Sequence, residues 1–373
     1  MEQVGCGWRP CHNQGELPFS RLIFVSSTAA NVRQGSGTYV GIAALQRALV
    51  ALGHEVELIA PPRMAAAAWR RLWFNWGLRR RLRLPRQGAL VGFDLDGMFV
   101  ASAGLPNIAA IKGVVAEELR FERGMARASL RLQAGLEGWR ARRADRVIAT
   151  SDYAAAAIGR HYGVPRERIR VVPELMDLAT WRGMLAAVRP EARTSARVLC
   201  VAHLYPRKDV ATLLRALAGM PTRVEAHIVG VGPELRRLRR LARELDLSGR
   251  VRFLGHISRA ELAREYRNAD VFCLPSRQEG FGIVLLEAMA AGLAVVAARA
   301  AAIPEVVPEG ECGLLFEPGD ADELGACLER MLGDCALRER LGEAGNQHVL
   351  RYNAPCVARK FLAALELESE PTR

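Results

Sequence analysis

The sequence predicts an α/β protein of two domains, each a parallel sheet covered by helices. The chain has 373 residues, more than a single hydrophobic core usually organises. Half of the residues are hydrophobic and a quarter are charged, which is the balance of a globular protein in water. Short apolar runs alternate with segments of helical periodicity in both halves of the chain. That alternation is typical of parallel sheets with helices on both faces.

The N-terminal half opens with a strand–helix–strand pattern. A strand is predicted at Arg21–Ser26, and a helix at Thr38–Leu52 follows a glycine-containing loop. Gly53 ends this helix, and the next strand is predicted at Val56–Ala60. Two further strands are predicted at Asn107–Ile111 and Asp145–Thr150.

A second series of strands and helices follows the Pro- and Arg-containing stretch at 178–196. Its strands are predicted at Arg197–Ala202, Val224–Val229, Val251–Leu254, Val271–Leu274 and Ala294–Ala298. Its helices are predicted at Val210–Ala218, Pro233–Leu245, Arg259–Arg267 and Ile283–Ala291. We expect an N-terminal domain over 1–188, a C-terminal domain over 189–350, and a terminal helix over 351–373 that packs back toward the N-terminal domain. Ligands of such sheets bind at the carboxyl ends of the strands, so a site is expected between the domains.

The stretch PSRQEGFGIVLLEAMAA at 275–291 combines two carboxylates with a glycine turn. Glu279 precedes the turn, and Glu287 lies one turn inside the following helix. Helical side chains lean toward the N-terminus, so the two carboxylates can share one pocket. The unpaired N–H groups at a helix start suit hydroxyls or phosphate. On spacing alone, an ordinary acidic pair favoured by the helix dipole explains the pattern equally well.

With the residues that follow it, this stretch resembles the E-x7-E signature of glycosyltransferase family 4. The similarity continues through Val295-Val296-Ala297, Ile303-Pro304-Glu305, Gly313-Leu314-Leu315 and Pro318-Gly319-Asp320. The resemblance implies the GT-B fold, two Rossmann-like domains whose parallel sheets face a cleft. It also implies a retaining hexosyltransferase that uses a nucleotide-diphosphate sugar, UDP- or GDP-linked. In this family the first Glu contacts the donor sugar and the second the ribose, which assigns these roles to Glu279 and Glu287.

Other donor-site motifs are matched in part. In VAHLYPRKD at 201–209, Lys208 occupies the position of a lysine that grips the donor diphosphate. His203 stands where the family has Arg, and Arg207 is the candidate to compensate. The loops QGSGTY and VGVGP resemble glycine loops that approach the donor, with Gln34 replacing a glycine. The donor-binding residues implied by the resemblance are Gly35, Gly37, His203, Arg207, Lys208, Gly230, Gly232, Glu279, Gly280, Phe281, Gly282, Ile283 and Glu287.

The N-terminal wall departs from the family pattern. Lys112-Gly113 replaces a His-Gly whose histidine reaches the donor sugar, and Glu174 falls within an altered Pro-Asn-Gly motif. We hypothesise that Lys112 and Glu174 act together, so the expected catalytic residues are Glu279, Lys208 and Lys112. Asp94-Leu95-Asp96 resembles a D-x-D metal motif, but a role of Asp96-Gly97 near the acceptor is favoured, and no metal or other cofactor is expected.

The excess of positive charge lies entirely in the N-terminal half. Residues 1–190 contain 27 Lys and Arg against 15 Asp and Glu, a net +12, whereas 191–373 contain 25 of each. Residues 63–86 include eight Arg and no acid, with Trp69, Leu72, Trp73 and Trp76 at helical spacing. Such a helix suits an anionic membrane surface; the alternative is a stripe packed on the domain core. The residues expected at the membrane or acceptor are Trp69, Arg70, Arg71, Trp73, Trp76, Arg79, Arg80 and Arg81.

The expected location is the cytoplasm, at the inner face of the cell membrane. No apolar run reaches the roughly 18 residues that span a bilayer, and the first twenty residues lack the apolar region of a secretory signal. The eight cysteines, Cys6 and Cys11 included, are scattered, as in a reduced protein. The expected acceptor is a saccharide or lipid-linked hydroxyl of cell-envelope polysaccharide or glycolipid synthesis.

Two alternatives remain at this point. A non-enzymatic basic protein that binds nucleic acid or membrane explains the charge but not the Glu279/Glu287 motif, so no nucleic acid partner is expected. The second alternative is a GT-B epimerase or phosphorylase, and neither of these enzymes moves sugar from a nucleotide to a distinct acceptor.

Overall fold

The computed structural model describes residues 21–27, 37–61, 68–81, 88–100, 105–192 and 194–365. They form two six-stranded sheets in which each neighbouring pair of strands is parallel. Helices connect the strands, as parallel pairing requires. The predicted α/β class with two Rossmann-like halves is confirmed.

The first sheet has the order β2-β1-β3-β4-β5-β6. Its strands are β1 Arg21–Val25, β2 Glu55–Ile59, β3 Ala89–Phe93, β4 Asn107–Ile111, β5 Arg146–Ala149 and β6 Ile169–Val171. The helices of this half are α1 Gly37–Ala51, α2 Ala68–Arg81, α3 Val115–Glu118, α4 Gly124–Arg143, α5 Asp152–Tyr162 and α6 Leu178–Ala186. The inner strands β1, β3, β4 and β5 are almost wholly buried because helices cover both faces, which explains their continuous apolar runs.

The second sheet has the order β12-β11-β10-β7-β8-β9. Its strands are β7 Ala196–Val201, β8 Val224–Val229, β9 Val251–Gly255, β10 Val271–Leu274, β11 Ala294–Ala298 and β12 Gly313–Phe316. Its helices are α7 Val210–Gly219, α8 Leu235–Glu244, α9 Arg259–Arg267, α10 Ile283–Ala290, α11 Ile303–Val306, α12 Ala321–Gly333, α13 Cys335–His348 and α14 Ala354–Leu365. Short 3-10 turns lie at Arg166–Arg168, Pro206–Lys208 and Val349–Tyr352.

Two helices cross between the halves. Helix α14 packs on α1 and the first sheet, with the Phe361 ring 5.9 Å from that of Phe24. Helix α6 packs on α9 and α10 of the second half, where the Trp181 ring lies 5.5 Å from that of Tyr266. The apolar side chains of α6, which precedes the predicted boundary at residue 189, are thus buried in the core of the second half.

The two crossing segments are joined to each other. Met176 N–H donates to Tyr352 O, and Ala354 N–H donates to Met176 O, both at 2.9 Å. No helix in the described part of the chain is long and apolar enough to cross a membrane.

Candidate active site between the two sheets

The carboxyl ends of the strands of both sheets border a cleft of about 920 Å³. One wall comes from residues that follow β3, β4 and β6, and the other from residues that follow β7, β8, β9 and β10. This is the place that open α/β sheets offer to ligands. It holds most of the expected donor residues that lie in the described ranges.

A buried ion pair lies on the C-terminal wall. Lys208 Nζ donates to Glu279 Oε1, and both side chains are about nine-tenths buried. The loops that carry them are tied together, since Arg277 N–H donates to Arg207 O at 2.8 Å and Arg277 Nε to Asp209 at 2.7 Å. Residues far apart in sequence thus hold one charged pair at the cleft surface.

Burial disfavours the charged form of both members of this pair, and neighbouring charges change the outcome. Burial raises the pKa of Glu279, but the positive charges of Lys208 and Arg207 outweigh it and hold that pKa below its usual range. Burial, together with the charge of Arg207, lowers the pKa of Lys208 below its usual range, although the Glu279 charge opposes the change. A desolvated ammonium interacts strongly with a negative charge, so Lys208 suits phosphate oxygens.

Glu287 is held by three neighbours on α6 and α9. Arg259 donates to its Oε1 at 2.5 Å, and the Tyr266 hydroxyl donates to its Oε2 at 3.1 Å. Trp181 Nε1 donates to the Glu287 carbonyl at 3.1 Å, and the Arg259 guanidinium lies 4.4 Å from the Trp181 ring centre. The fixed carboxylate is an acceptor for hydroxyl groups at the cleft edge.

The turn before α10 needs its glycines. Gly282 has φ +91°, which other residues adopt only with strain, and α10 starts directly after it. A Cβ on Gly280 would lie 2.8 Å from Lys112 O, so only glycine permits the two walls to approach. Phe281 and Ile283 also line the cleft. The first N–H groups of α10 have no acceptor within the helix and lie at the cleft.

The other expected glycines differ in their positions. Gly230 lines the cleft, and a Cβ there would overlap Ala202 O. A Cβ on Gly232 would overlap Leu204 backbone atoms, and Gly232 does not line the cleft. Both glycines permit close packing of the β8–α8 loop on the β7 loop. Gly37 begins α1.

A second ion pair lies on the N-terminal wall. Lys112 Nζ donates to Glu174 Oε2 at 2.9 Å, and the two side chains are 13% and 10% exposed. The ammonium also lies 5.7 Å from the centre of the Phe93 ring. The two residues that break the family pattern therefore contact each other, as our hypothesis of joint action requires.

Three sets of contacts join the walls. Arg207 pairs with Glu118 at 3.2 Å. Thr150 and Ser151 donate to Gly280 O at 3.0 and 2.9 Å. The Glu305 carboxylate accepts the N–H groups of residues 152 and 153 at 2.8 and 2.7 Å, which caps α5 from the opposite domain.

His203 lies exposed on the cleft, in the position where the family has Arg. The surrounding walls desolvate its ring, and with the charges of Lys208 and Arg207 they lower its pKa below the usual range. The imidazole is therefore neutral at pH 7 and does not add a positive charge. Arg207 supplies the second cation beside Lys208.

Asp94 and Asp96 lie in different surroundings. Asp96 is fully buried and accepts from Ser27 N–H at 2.6 Å and from Asn75 at 2.8 Å, so its carboxylate is committed to the fold rather than to the acceptor as expected. Asp94 alone lines the cleft. Among the described residues, no three His, Cys, Asp or Glu side chains cluster as metal ligands do.

Helix α2 presents an aromatic surface to solvent. Trp73 is 73% exposed and Trp76 50%, whereas Phe74 and Leu78 pack on the core and Arg71 reaches the cleft. The alternative of a stripe packed on the core is thus wrong for these two tryptophans. Arg70 is exposed on the same helix. Gln34, Gly35, Cys6 and Cys11 and the side chains of Trp69, Arg79, Arg80 and Arg81 lie outside the described residues.

Several site residues were not expected from the sequence. They are side chains that hold or face the motif residues: Glu118, Thr150, Ser151, Trp181, Arg259 and Tyr266. Of these, only Arg259 carried a sequence signal, as a cation at a helix start one strand before the E-x7-E motif.

Two family models match the chain. "Glycosyl transferases group 1" matches residues 186–348, and "Glycosyltransferase Family 4" matches residues 35–180. Together they span most of the chain, one on each half of the fold.

Several curated relatives are mannosyltransferases. The chain is 34% identical to the MMP alpha-(1->4)-mannosyltransferase of Mycolicibacterium hassiacum, over 61% of this chain and 55% of that protein. It is 33% identical to a GDP-mannose-dependent phosphatidylinositol monomannoside mannosyltransferase of Mycobacterium tuberculosis (55% and 57%). It is 42% identical to the phosphatidyl-myo-inositol mannosyltransferase of Mycolicibacterium smegmatis (44% and 43%). The chain thus spans about half the length of the curated relatives it matches.

Solved structures share the whole architecture. Sucrose-phosphate synthase of Thermosynechococcus elongatus superposes with a TM-score of 0.78 at 24% identity, covering 92% of this chain and 97% of that one. WaaG, a glycosyltransferase of lipopolysaccharide biosynthesis, superposes with a TM-score of 0.70 at 21% identity (91% and 98%). These similarities confirm the GT-B fold.

Proposed function

The chain belongs to glycosyltransferase family 4, and from this premise we propose that it moves a hexosyl group from a nucleoside-diphosphate sugar to a hydroxyl of a saccharide or lipid-linked acceptor. The anomeric configuration is retained. We further propose that the chain works at an anionic membrane surface in glycolipid or envelope polysaccharide synthesis.

The buried Lys208–Glu279 pair beside the start of α10 is the observation that carries this proposal. A cation and helix N–H groups suit a diphosphate, and a fixed carboxylate suits sugar hydroxyls. A protein that only binds anions gains nothing from buried carboxylates at its binding surface, because they repel its ligand. The geometry therefore favours an enzyme over the basic anion-binding alternative.

The proposed mechanism assigns a task to each part of the cleft. Lys208, Arg207 and the N–H groups of α10 stabilise charge that develops on the leaving diphosphate. Glu279 orients the sugar through its hydroxyls, and Glu287 holds the ribose. The acceptor hydroxyl attacks from the same face, and its proton passes to the departing phosphate oxygen.

The relatives suggest which substrates to test first. The names of two of them specify GDP-mannose or a phosphatidylinositol glycolipid, so GDP-mannose is our first candidate donor and an inositol lipid our first candidate acceptor. The exposed Trp73 and Trp76 and the basic N-terminal half fit an acceptor that lies in a membrane.

A thermal-shift screen with GDP, UDP, ADP and their sugars tests the proposal. A ligand that binds only the folded state raises the melting temperature, so one nucleoside diphosphate should stabilise the chain selectively. We expect Lys208→Met to weaken binding of that nucleoside diphosphate about tenfold or more. The chain has three lysines, and Lys360 is exposed on α14, so Lys360→Met is a matched control. A wild type that no nucleotide stabilises contradicts the proposal.

A further inference from the structure

Asp94 has a strained backbone at the cleft surface. It follows β3 directly, and its φ is +56°, in the left-handed region that non-glycine residues seldom occupy. The turn is held by Asp94 N–H donating to Ala110 O at 2.9 Å and Asp96 N–H donating to Phe93 O at 3.0 Å. Strain that the surrounding structure maintains in this way is typical of functional sites.

The Asp94 carboxylate is only half used by the fold. Its Oδ1 accepts Lys112 N–H at 2.9 Å. In the described ranges, no hydrogen-bond partner is found for its Oδ2, and Asp94 is one of the residues that line the cleft. Lys112 also contacts the opposite wall, because its carbonyl oxygen packs against Gly280. A single residue, Lys112, therefore connects Asp94 to the turn before α10 on the C-terminal wall.

Charged and titratable groups surround this carboxylate. Burial raises the pKa of Asp94 to about 6, Arg71 and Lys112 oppose that rise, and Asp96 adds to it. Behind it, burial and the charge of Asp94 raise the pKa of Glu137 to about 8, and the Tyr162 hydroxyl donates to Glu137. At pH 7 most Asp94 is thus ionised, which makes its Oδ2 a hydrogen-bond acceptor.

We propose, on the basis of the proposed function, that Asp94 binds the acceptor through a hydroxyl adjacent to the one that attacks. In the reaction the attacking oxygen bonds to the anomeric carbon as the bond from that carbon to the diphosphate breaks. The single proton of the attacking hydroxyl passes to the diphosphate oxygen. It is then not available to Asp94, so the carboxylate takes its hydrogen bond from the neighbouring hydroxyl. The acceptor class is therefore a polyol with vicinal hydroxyls, such as a sugar or an inositol.

Asp94→Asn tests this role without changing the turn, because Asn adopts left-handed conformations as Asp does. The probe is whichever of GDP-mannose, UDP-glucose and UDP-N-acetylglucosamine stabilises the wild type most. Slow hydrolysis of this donor needs no known acceptor, since water has one proton for the diphosphate and one for Asp94. We expect hydrolysis to fall about tenfold or more in the variant. The Kd of the donor should stay within about twofold of the wild-type value, because Asp94 lies on the N-terminal wall.

The pH profile and two simple alcohols give independent readouts. Wild-type hydrolysis should decline as the pH falls through about 6, where Asp94 becomes protonated, and the variant should lack this step. With the wild type, sugar transfer to added myo-inositol should be faster than transfer to added cyclohexanol. The variant should lose that preference. Asp246→Asn changes another left-handed aspartate, outside the residues that line the cleft, and is the matched control.

Each outcome decides between the inferences. Equal hydrolysis by wild type and Asp94→Asn overturns the acceptor role while leaving the proposed function intact. Loss of donor binding in the variant also overturns it, because Asp94 would then belong to the donor site. A wild type that binds no nucleotide sugar contradicts the proposed function itself.

Discussion

Cations in the cleft are paired with carboxylates before substrate arrives. Lys208 pairs with Glu279, Arg259 with Glu287, and Lys112 with Glu174. Buried pairs of this kind are costly to break on one side, because the remaining charge stays desolvated. In the proposed function, an incoming diphosphate or hydroxyl therefore exchanges with an existing partner rather than filling an empty charge site. Such exchange can make the site selective for ligands that satisfy both members of a pair.

The Lys112–Glu174 pair leads to a prediction at this scale. Lys112→Met removes the ammonium but keeps much of the side-chain length, and it leaves Glu174 buried without its partner. We expect turnover of the best nucleotide sugar to fall about tenfold or more, while the Kd of the nucleotide stays within about twofold. Steady-state kinetics and calorimetry measure the two quantities. Lys360→Met is the control, and unchanged turnover in Lys112→Met would remove Lys112 from the site.

The sequence predicted the motif residues of the site but not their partners. Glu279, Glu287 and Lys208 carry recognisable spacing, whereas Arg259 and Tyr266 meet Glu287 only after α9 packs beside α10. Pairing across more than twenty residues leaves no local pattern in a single sequence. The expected role of Asp96 near the acceptor was wrong for a similar reason, since the hydrogen bonds that bury it come from Ser27 and Asn75.

At the level of elements, most strands and helices lie within two residues of their predicted bounds. Three strands were missed: β3, β6 and β12. β6 has only three residues, and the other two contain glycines, which favour other conformations. In β3, a Cβ on Gly92 would overlap Asp96 O, so the glycine is needed where the chain folds back. In β12, a Cβ on Gly313 would overlap Val295 O of the neighbouring strand. Tertiary packing therefore selects residues that local propensity disfavours.

Helices α2 and α4 together form a larger basic and aromatic surface than α2 alone. Arg71 of α2 bonds Gln133 of α4 at 3.4 Å. On α4, Leu132 is 53% exposed, and the Arg143 guanidinium lies 4.9 Å from the Trp139 ring centre. A surface with exposed aromatic rings and arginines fits the headgroup region of an anionic bilayer.

This surface predicts lipid-dependent binding. Replacing Trp73 and Trp76 with Ala should weaken binding to vesicles that contain phosphatidylglycerol by about tenfold, because two exposed rings no longer enter the interface. Co-sedimentation with anionic and zwitterionic vesicles measures the effect. Val50→Ala, an exposed apolar residue on α1, is the control. Equal, negligible binding of the wild type to both vesicle types would contradict a membrane role for α2.

At the scale of the whole molecule, hydrogen bonds between the two walls of the cleft fix the position of one domain against the other. Glu305 caps α5 of the other domain, and Gly280 O accepts hydroxyls from Thr150 and Ser151. These hydrogen bonds hold the N-terminal wall against the turn before α10. The crossing segments at Met176 and Tyr352 lie beside each other and are joined by backbone hydrogen bonds.

In the proposed function, the Arg207–Glu118 pair competes with the diphosphate for the same cation. It crosses the cleft at 3.2 Å with both side chains partly exposed, so its net contribution is small, about 1 kcal/mol or less. Removing the negative charge with Glu118→Gln should free Arg207 and lower the Kd of the nucleoside diphosphate by up to about fivefold. Calorimetry at low and high salt measures this, and the gain should shrink at high salt because screening weakens the original pair.

Glu167→Gln, at an exposed carboxylate of the same domain, controls for net charge. Weaker nucleotide binding in Glu118→Gln would mean that Glu118 supports the site by holding Arg207 in place, and it would exclude competition between them.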